Sequence, residues 1–314
     1  MRPDPDELDR LSLQRRQEVL GLPVITLRRH GLVLPPDGRS QFEYQADYAL
    51  GIGPDDAAYA CWLSPTGETG TVTRQVGGKT SAAWREITNP PRFARFAQPL
   101  PDGQVLVAGE ALASARVWSD AGDLVATGDL GGFACHVVAD ELGRLWVGYI
   151  DEAIGSAGPP GHGFARFSRS LRVEWVYPHL PDRPSELPSI VDCYVLNVVG
   201  RDAYCYAYDR FHLLHANNDG VRDRGAVPQE FAQALLIDGE NAATLGGPTP
   251  EYDLLTPLRV TSSGVERAGS PSRLVMPDGM ELPPRARTFC RGSELHIVAN
   301  QKWYRLSLAD IPSS

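Results

Sequence analysis

The sequence is poor in lysine, has no surplus of positive charge and contains no long hydrophobic run. Its 314 residues carry 30 basic and 39 acidic side chains, a net charge of −9. Only Lys79 and Lys302 are lysines. Binding to nucleic acid or to an anionic membrane needs clustered basic side chains, so this balance disfavours both as partners.

The sequence also lacks a membrane-spanning run, a secretion signal and paired cysteines. Residues 1–21 are charged throughout and have no apolar stretch of the kind that a signal peptide needs. The five cysteines show no C-x-x-C spacing and lie in apolar runs: Cys61, Cys135, Cys193, Cys205 and Cys290. This arrangement disfavours a zinc site and predicts free buried thiols in a cytoplasmic protein.

Short alternating apolar runs dominate the chain, separated by Gly, Pro, Asp and Asn turns, and they predict β-strands. Only residues 6–20 have a helical pattern, with Gly21 as a stop. Residues 93–110 (FARFAQPLPDGQVLVAGE) and 133–151 (FACHVVADELGRLWVGYID) share one plan. Each has a short strand, a turn with glycine and a second strand that ends in an acid, and each continues into two further strands. The repeating unit is therefore a four-stranded up-and-down sheet.

The unit recurs about every 40–55 residues, which is typical of the blades of a β-propeller. Further copies begin near residues 47, 190 and 231. We therefore predict an all-β fold, a six-bladed β-propeller with a short N-terminal helix. A seven-bladed propeller is the alternative, because residues 64–90 are long enough to hold extra strands.

The last copy, residues 286–308, supplies only about three strands, and this shortfall bears on the domain organisation. We predict that residues 1–21 form a helical segment and that residues 22–314 form one propeller domain. In this prediction the N-terminal strand 22–31 pairs with the last blade. Such a pairing hides two sheet edges and closes the ring.

Polar side chains follow the inner strands of several predicted blades. In a propeller, the start of each first strand and the end of each second strand lie on the same rim of the axial channel, so distant residues meet there. The predicted binding residues on this rim are Arg95, Glu110, His136, Tyr149, Asp151, Glu152, Asp192 and Asp209. Their orientation stays open, because a slip of one residue turns a strand side chain to the other face.

Three segments of the middle of the chain, YIDEAIGSAG, IVDCYVLNVV and YCYAYDRFHLL, carry a resemblance. They resemble a group of bacterial β-propeller proteins with motifs close to WVxYFDEG, IDDCYALNV and YYTDF. The matching residues include Trp146, Asp151, Asp192, Asn197 and Asp209. The sequence departs from the pattern at two positions, with alanine at 153 and an arginine inserted at 210. The resemblance implies the propeller fold, a bacterial protein and a shared surface, but no reaction.

We predict a non-catalytic propeller, a monomer without a cofactor, that binds a protein partner or a small ligand through this rim. The alternative is a metal-dependent hydrolase of the lactonase or esterase type. Hard divalent cations prefer oxygen ligands, and the candidate ligands are Asp47, Asp151, Glu152, Asp192, Asn197 and Asp209. Arg95 and Arg287 oppose this alternative if they face the same opening, because they would repel a cation.

Acid–base chemistry without a metal is a further hypothesis. His136 beside Asp192 or Asp151 would form a carboxylate–imidazole pair, which can act as a general base near neutral pH. Cys135 or Cys193 beside His136 would supply a nucleophile. Neighbouring strand residues point to opposite faces, however, so Cys135 and His136 can both face the channel only if the strand bulges.

Overall fold

The structure is a computed structural model, and it describes residues 5–36, 48–77, 82–109, 114–178, 184–284 and 286–312. Over these residues the chain forms one α-helix, 26 β-strands and a few short 3-10 turns. The helix and the first two strands are α1 (Pro5–Leu20), β1 (Val24–Thr26) and β2 (Arg28–Leu32). No helix within the described ranges combines the length and the apolar composition that a membrane crossing needs.

The remaining strands form six antiparallel sheets that follow one another along the chain. Blade 1 contains β3 (Ala49–Ile52), β4 (Ala58–Leu63), β5 (Thr69–Gln75) and β6 (Ala82–Thr88). Blade 2 contains β7 (Ala94–Pro99), β8 (Val105–Gly109), β9 (Ser114–Trp118) and β10 (Leu124–Asp129). Blade 3 contains β11 (Ala134–Ala139), β12 (Leu145–Tyr149), β13 (Phe164–Phe167) and β14 (Val173–Val176).

The second half of the ring repeats this plan with one elaboration. Blade 4 contains β15 (Asp192–Val199), β16 (Asp202–Tyr208), β17 (His212–Asn217) and β18 (Gly220–Ala226). Blade 5 contains β19 (Ala232–Asp238), β20 (Asn241–Gly246), β21 (Leu254–Val260), β22 (Val265–Arg267) and β23 (Ser272–Val275). Blade 6 contains β24 (Arg287–Arg291), β25 (Glu294–Ala299) and β26 (Lys302–Ser307).

The described residues therefore form a six-bladed β-propeller, and the prediction of this fold is confirmed. The seven-bladed alternative is wrong. In the described part of the segment 64–90 that suggested it, the strands are β5 and β6, and both belong to the sheet of blade 1 as its outer strands.

The segment after α1 serves two blades at once. Strand β1 pairs in parallel with β23, and β2 pairs antiparallel with β26 as the outermost strand of blade 6. Between them, Leu27 is buried, and its amide donates to the carbonyl of Val275. The segment from β1 to β2 therefore contacts the last two blades of the propeller, and β2 covers the open edge of β26.

An ion-pair network fixes α1 against blade 5. The guanidinium of Arg16 donates to both carboxylate oxygens of Asp253, at 2.7 and 3.0 Å, and to the hydroxyl of Tyr252. Asp253 is fully buried and also accepts from Arg273 at 2.8 Å. Two positive partners hold the pKa of the Asp253 carboxyl below its usual range despite burial, which opposes that effect.

The hydrophobic core lies between neighbouring blades, in five clusters around the ring. Inner strands are covered on both faces, and β4, with the sequence AYACWL, is buried along its whole length. Such strands are continuous apolar runs rather than alternating ones. The packing leaves the inner ends of the six blades facing a narrow axial channel.

Candidate functional site

An axial cavity of about 280 Å³ is lined by residues from the inner strand of every blade. The lining combines apolar side chains, such as Ile52 and Val137, with polar ones, and its surface is slightly more polar than apolar. The polar side chains in the lining are Arg95, Gln98, His136, Gln233, Arg287 and Thr288, together with the thiols of Cys135 and Cys290. Concave sites that place polar groups among apolar side chains are typical of small-molecule binding.

The first residues of the inner strands form one end of the channel, which we call the mouth. At the other end, Arg291 donates from β24 of blade 6 to the carbonyl of Ala139 on β11 of blade 3, at 2.6 Å. Blades 3 and 6 are opposite each other in a ring of six, so this bond crosses the axis. The bridge narrows the far end, and the charged groups described below lie at the mouth.

Four inner strands carry a β-bulge at the same position. The register of β7, β11, β15 and β19 with the second strand of the blade shifts at the second or third residue of the strand. The bulged residues are Arg95, Cys135, Tyr194 and Gln233. A bulge re-aims a side chain and is often found beside functional sites. Because the bulge recurs in four blades, it is a repeated feature of the mouth rather than a local irregularity.

Three of these bulged strands follow a phenylalanine in the left-handed region. The φ angles of Phe93, Phe133 and Phe231 are 55°, 66° and 54°. Their side chains are 70%, 45% and 36% exposed, although phenylalanine is usually buried. A bulky residue with positive φ costs of order 1–3 kcal/mol, and such strain concentrates at functional sites. The mouth therefore contains both backbone strain and exposed aromatic surface.

Cys135 and His136 both line the cavity, because the strand bulges at Cys135, between Ala134 and His136. The imidazole Nε2 of His136 lies 3.1 Å from the carbonyl oxygen of Tyr194, and since a carbonyl only accepts, Nε2 carries the proton. Burial, together with the nearby positive charge of Arg95, lowers the pKa of His136 to about 4. His136 is thus a neutral side chain that links blades 3 and 4 by a hydrogen bond, and it is not part of the predicted carboxylate–imidazole pair.

The thiols around His136 are held as protonated donors. Cys135 Sγ lies 3.3 Å from the carbonyl oxygens of Gly148 and Cys193, and Cys193 Sγ lies 3.2 Å from the sulfur of Cys205. Burial raises the pKa of Cys135 and of Cys193 well above the usual range. A thiolate is the nucleophilic form, so this geometry opposes the hypothesis of a cysteine nucleophile.

Three of the predicted carboxylates come together at the mouth. Asp151 and Glu152 are exposed in a 3-10 turn directly after β12, and Asp192 begins β15 of the next blade. Burial, with the negative charges of Asp151 and Glu152, raises the pKa of Asp192 to about 6. The structure thus forms an acidic side of the mouth on blades 3 and 4.

Two arginines lie on the other side of the mouth. Arg287 of blade 6 donates to the carbonyls of Tyr48 and Arg95, each at 2.8 Å, and its guanidinium lies 5.7 Å from the Tyr48 ring and 5.5 Å from the Phe289 ring. Arg95 of blade 2 is exposed, and its guanidinium lies 5.9 Å from the Phe96 ring. Blades 6, 1 and 2 therefore form a basic side.

Other predicted residues have different places. Tyr149 is fully buried in the core between blades 2 and 3, and its hydroxyl donates to the carbonyl of Leu130, so it does not face the mouth. Asp209 is exposed just after β16. The predicted residues Asp47 and Glu110 lie outside the described residues.

Asn197, proposed from the sequence as a metal ligand, is a buried structural group. Its Nδ2 donates to the carbonyls of Leu235 and Gly292 at 2.7 and 2.8 Å, and its Oδ1 accepts from the amide of Gly292 at 2.8 Å. These bonds join blades 4, 5 and 6. Among the residues that the structure describes, no three His, Cys, Asp or Glu side chains converge in a way that could hold a metal ion.

Tyr194 and the exposed phenylalanines of the mouth were not predicted from the sequence. Tyr194 has rings on several sides, with centroids at 5.8 Å for Tyr208 and 6.0 Å for Phe231. The repeated Phe-Ala pair that precedes β7, β11 and β19 was a signal for these residues. The pair is visible in the aligned repeats, but the unusual backbone angle that exposes the ring is not.

Comparison with known proteins supports no family assignment. No model of a protein family matches the chain, and no curated protein matches it. Solved structures with a similar shape include a catalytically inactive virginiamycin B lyase from Staphylococcus aureus with quinupristin, at 11% identity and a TM-score of 0.47 over 90% of this chain and 88% of the other.

Two other solved structures are similar to the same degree. AztD from Citrobacter koseri has 11% identity and a TM-score of 0.47 over 85% of each chain. A gluconolactonase from Xanthomonas campestris has 10% identity and a TM-score of 0.45 over 91% of this chain and 98% of the other. The activities in these names belong to those proteins, and the fold of this chain follows from its own sheets.

Proposed function

We propose that this propeller binds a small organic ligand in its axial cavity and catalyses no reaction on it. The observation that carries the proposal is the cavity of about 280 Å³, together with the four repeated bulges that aim side chains at its mouth. A concavity of this size admits a small molecule. It therefore supports the small-ligand form of the prediction over a protein partner.

The chemistry of the lining supports binding more than catalysis. His136 is a weak base whose Nε2 proton is already engaged with the Tyr194 carbonyl. The Cys135 thiol has a raised pKa and donates to backbone carbonyls. Neither group has the properties of a general base or of a nucleophile near neutral pH.

The alternative of a metal-dependent hydrolase has weaker support. It requires several oxygen ligands around one point, whereas the described carboxylates do not converge in that way. Arg287 and Arg95 also lie at the same mouth and add positive charge beside any cation. A metal titration discriminates the two functions, since a bound divalent cation raises the melting temperature.

The experiment that tests the proposal is a thermal-shift screen with small carboxylates, amines and zwitterions. It uses the wild type and two variants, Ala286→Trp and Ala226→Trp. Ala286 lines the cavity, so tryptophan there fills it, whereas Ala226 is exposed at the end of β18. We expect compounds that stabilise the wild type to stabilise Ala226→Trp equally and Ala286→Trp much less. Equal stabilisation of both variants would place binding outside the cavity.

A further inference from the structure

The mouth of the cavity has charges of opposite sign on opposite sides. Arg287 and Arg95 belong to blades 6 and 2, which flank blade 1. Asp192 and the Asp151–Glu152 turn belong to blades 4 and 3. Arg287 and Arg95 line the cavity itself, and the carboxylates lie at strand ends on the rim of blades 3 and 4. Groups of both signs therefore lie around one mouth.

The basic side is built to receive an anionic group. The two carbonyl bonds of Arg287 fix the plane of its guanidinium across the start of blade 1. A guanidinium stays charged at all physiological pH values, and its planar fork matches a carboxylate. Gln233 and Thr288 add neutral hydrogen-bonding groups to the same cavity.

The acidic side is combined with aromatic rings. The rings of Tyr208, Phe211 and Phe231 lie 5.8, 6.0 and 6.0 Å from that of Tyr194. Asp192 and Asp151 are close enough to Tyr194 to raise the pKa of its hydroxyl, which burial raises most. Aromatic faces and carboxylates together attract an organic ammonium, which is too diffuse to need the tight ligand shell of a metal ion.

We propose that the ligand is a small zwitterion, with a carboxylate held by Arg287 and Arg95 and an ammonium group held by Asp192 and the rings around Tyr194. This inference rests on the proposed function and names the ligand class for the same cavity. The cavity wall includes the apolar side chains of Leu50, Val137 and Val195. A short hydrocarbon linker between the charged groups therefore fits it.

The test is calorimetric titration with matched probes: 4-(trimethylammonio)butyrate, which carries both charges, and tetramethylammonium and butyrate, which each carry one. We expect the wild type to bind the zwitterion at least about tenfold more tightly than either single-charge probe. Asp192→Asn should weaken the binding of the zwitterion and of tetramethylammonium but not that of butyrate. Arg95→Gln should weaken the binding of the zwitterion and of butyrate but not that of tetramethylammonium.

Asp219→Asn is the matched control, because it removes one exposed carboxylate from the turn between β17 and β18 of blade 4, at the end of the blade away from the mouth. It should leave all three affinities unchanged. Equal affinities for the zwitterion and one single-charge probe, or an unchanged zwitterion affinity in Asp192→Asn, would overturn the inference. If uncharged or singly charged compounds bind in a way that Ala286→Trp abolishes, the proposed function stands while the zwitterion is refuted. If no compound of either set binds, both fail.

Discussion

Replacing Asp192 by asparagine should stabilise the folded protein at neutral pH. Asp192 is half-buried at the mouth, where burial and the charges of Asp151 and Glu152 raise its pKa to about 6. An unfolded chain has an aspartate pKa of about 4. The folded state therefore binds the Asp192 proton more tightly, and ionisation of this group lowers the free energy of unfolding as the pH rises from about 4 to about 6.

The size of the effect follows from the same shift. A tenfold change in proton affinity corresponds to about 1.4 kcal/mol, so the shift gives an upper bound of about 3 kcal/mol. The carboxyl is only partly shielded from water, and solvent screening reduces this to about 1–2 kcal/mol. Asp192→Asn removes the ionisable group, so the variant should be more stable than the wild type by that amount at pH 7.5. Most of the difference should disappear at pH 4.

Urea denaturation followed by tryptophan fluorescence measures both free energies of unfolding. The matched control is Asp209→Asn, which removes an exposed carboxylate from the same blade and should not reproduce the pH-dependent gain. A gain in Asp192→Asn that is the same at pH 4 and pH 7.5 would contradict the electrostatic origin. A loss of stability at pH 7.5 would show that the Asp192 charge has a favourable partner in the folded protein.

Three further predictions concern packing and backbone strain. Gly148→Ala should lower the free energy of unfolding by about 1–3 kcal/mol, because its Cβ would lie 2.4 Å from a buried sulfur, whereas Gly132→Ala has nothing within 4 Å; chemical denaturation compares them. Asn197→Ala should cost about 2–4 kcal/mol in the same assay, since it removes the side-chain partner of backbone groups at Leu235 in blade 5 and Gly292 in blade 6, and a cost below that of Asn241→Ala, at an exposed strand end, would refute this. Phe93→Gly should leave the free energy of unfolding unchanged or raise it by up to about 1 kcal/mol, because glycine relieves the strain of the positive φ and the lost ring is exposed. A clear fall in the melting temperature would show that the ring makes stabilising contacts.

The propeller fold could be predicted because each repeat has the same local sequence pattern of strands and turns. The turn in DELGRL and the strand in LWVGY have counterparts in each blade, and such signals depend only on neighbouring residues. The segment around Arg28 shows where local information ends. The sequence pattern predicts one strand over 22–31, but Leu27 divides this segment between blades 5 and 6, and that division depends on tertiary packing.

The rim position of the candidate residues could be predicted from the sequence, whereas the orientation of their side chains could not. Asp151, Glu152 and Asp192 do gather on one side of the mouth, because strand ends share a rim. Tyr149 was assigned to that rim and is instead core, because strand residues alternate between faces and the register was unknown. Bulges decide the orientation of Cys135 and its equivalents, and a bulge leaves no reliable trace in a single sequence.

The most direct test of the account is a methyl NMR titration with the panel of small carboxylates, amines and zwitterions. Ile52, Val137 and Val195 line the cavity, whereas Leu13 is exposed on α1. If the axial cavity is the ligand site, the stabilising compounds should shift the methyl signals of the three cavity residues and leave Leu13 unchanged. Shifts confined to methyl groups outside the cavity, or no shift at Ile52, Val137 and Val195 with any compound, would contradict the account.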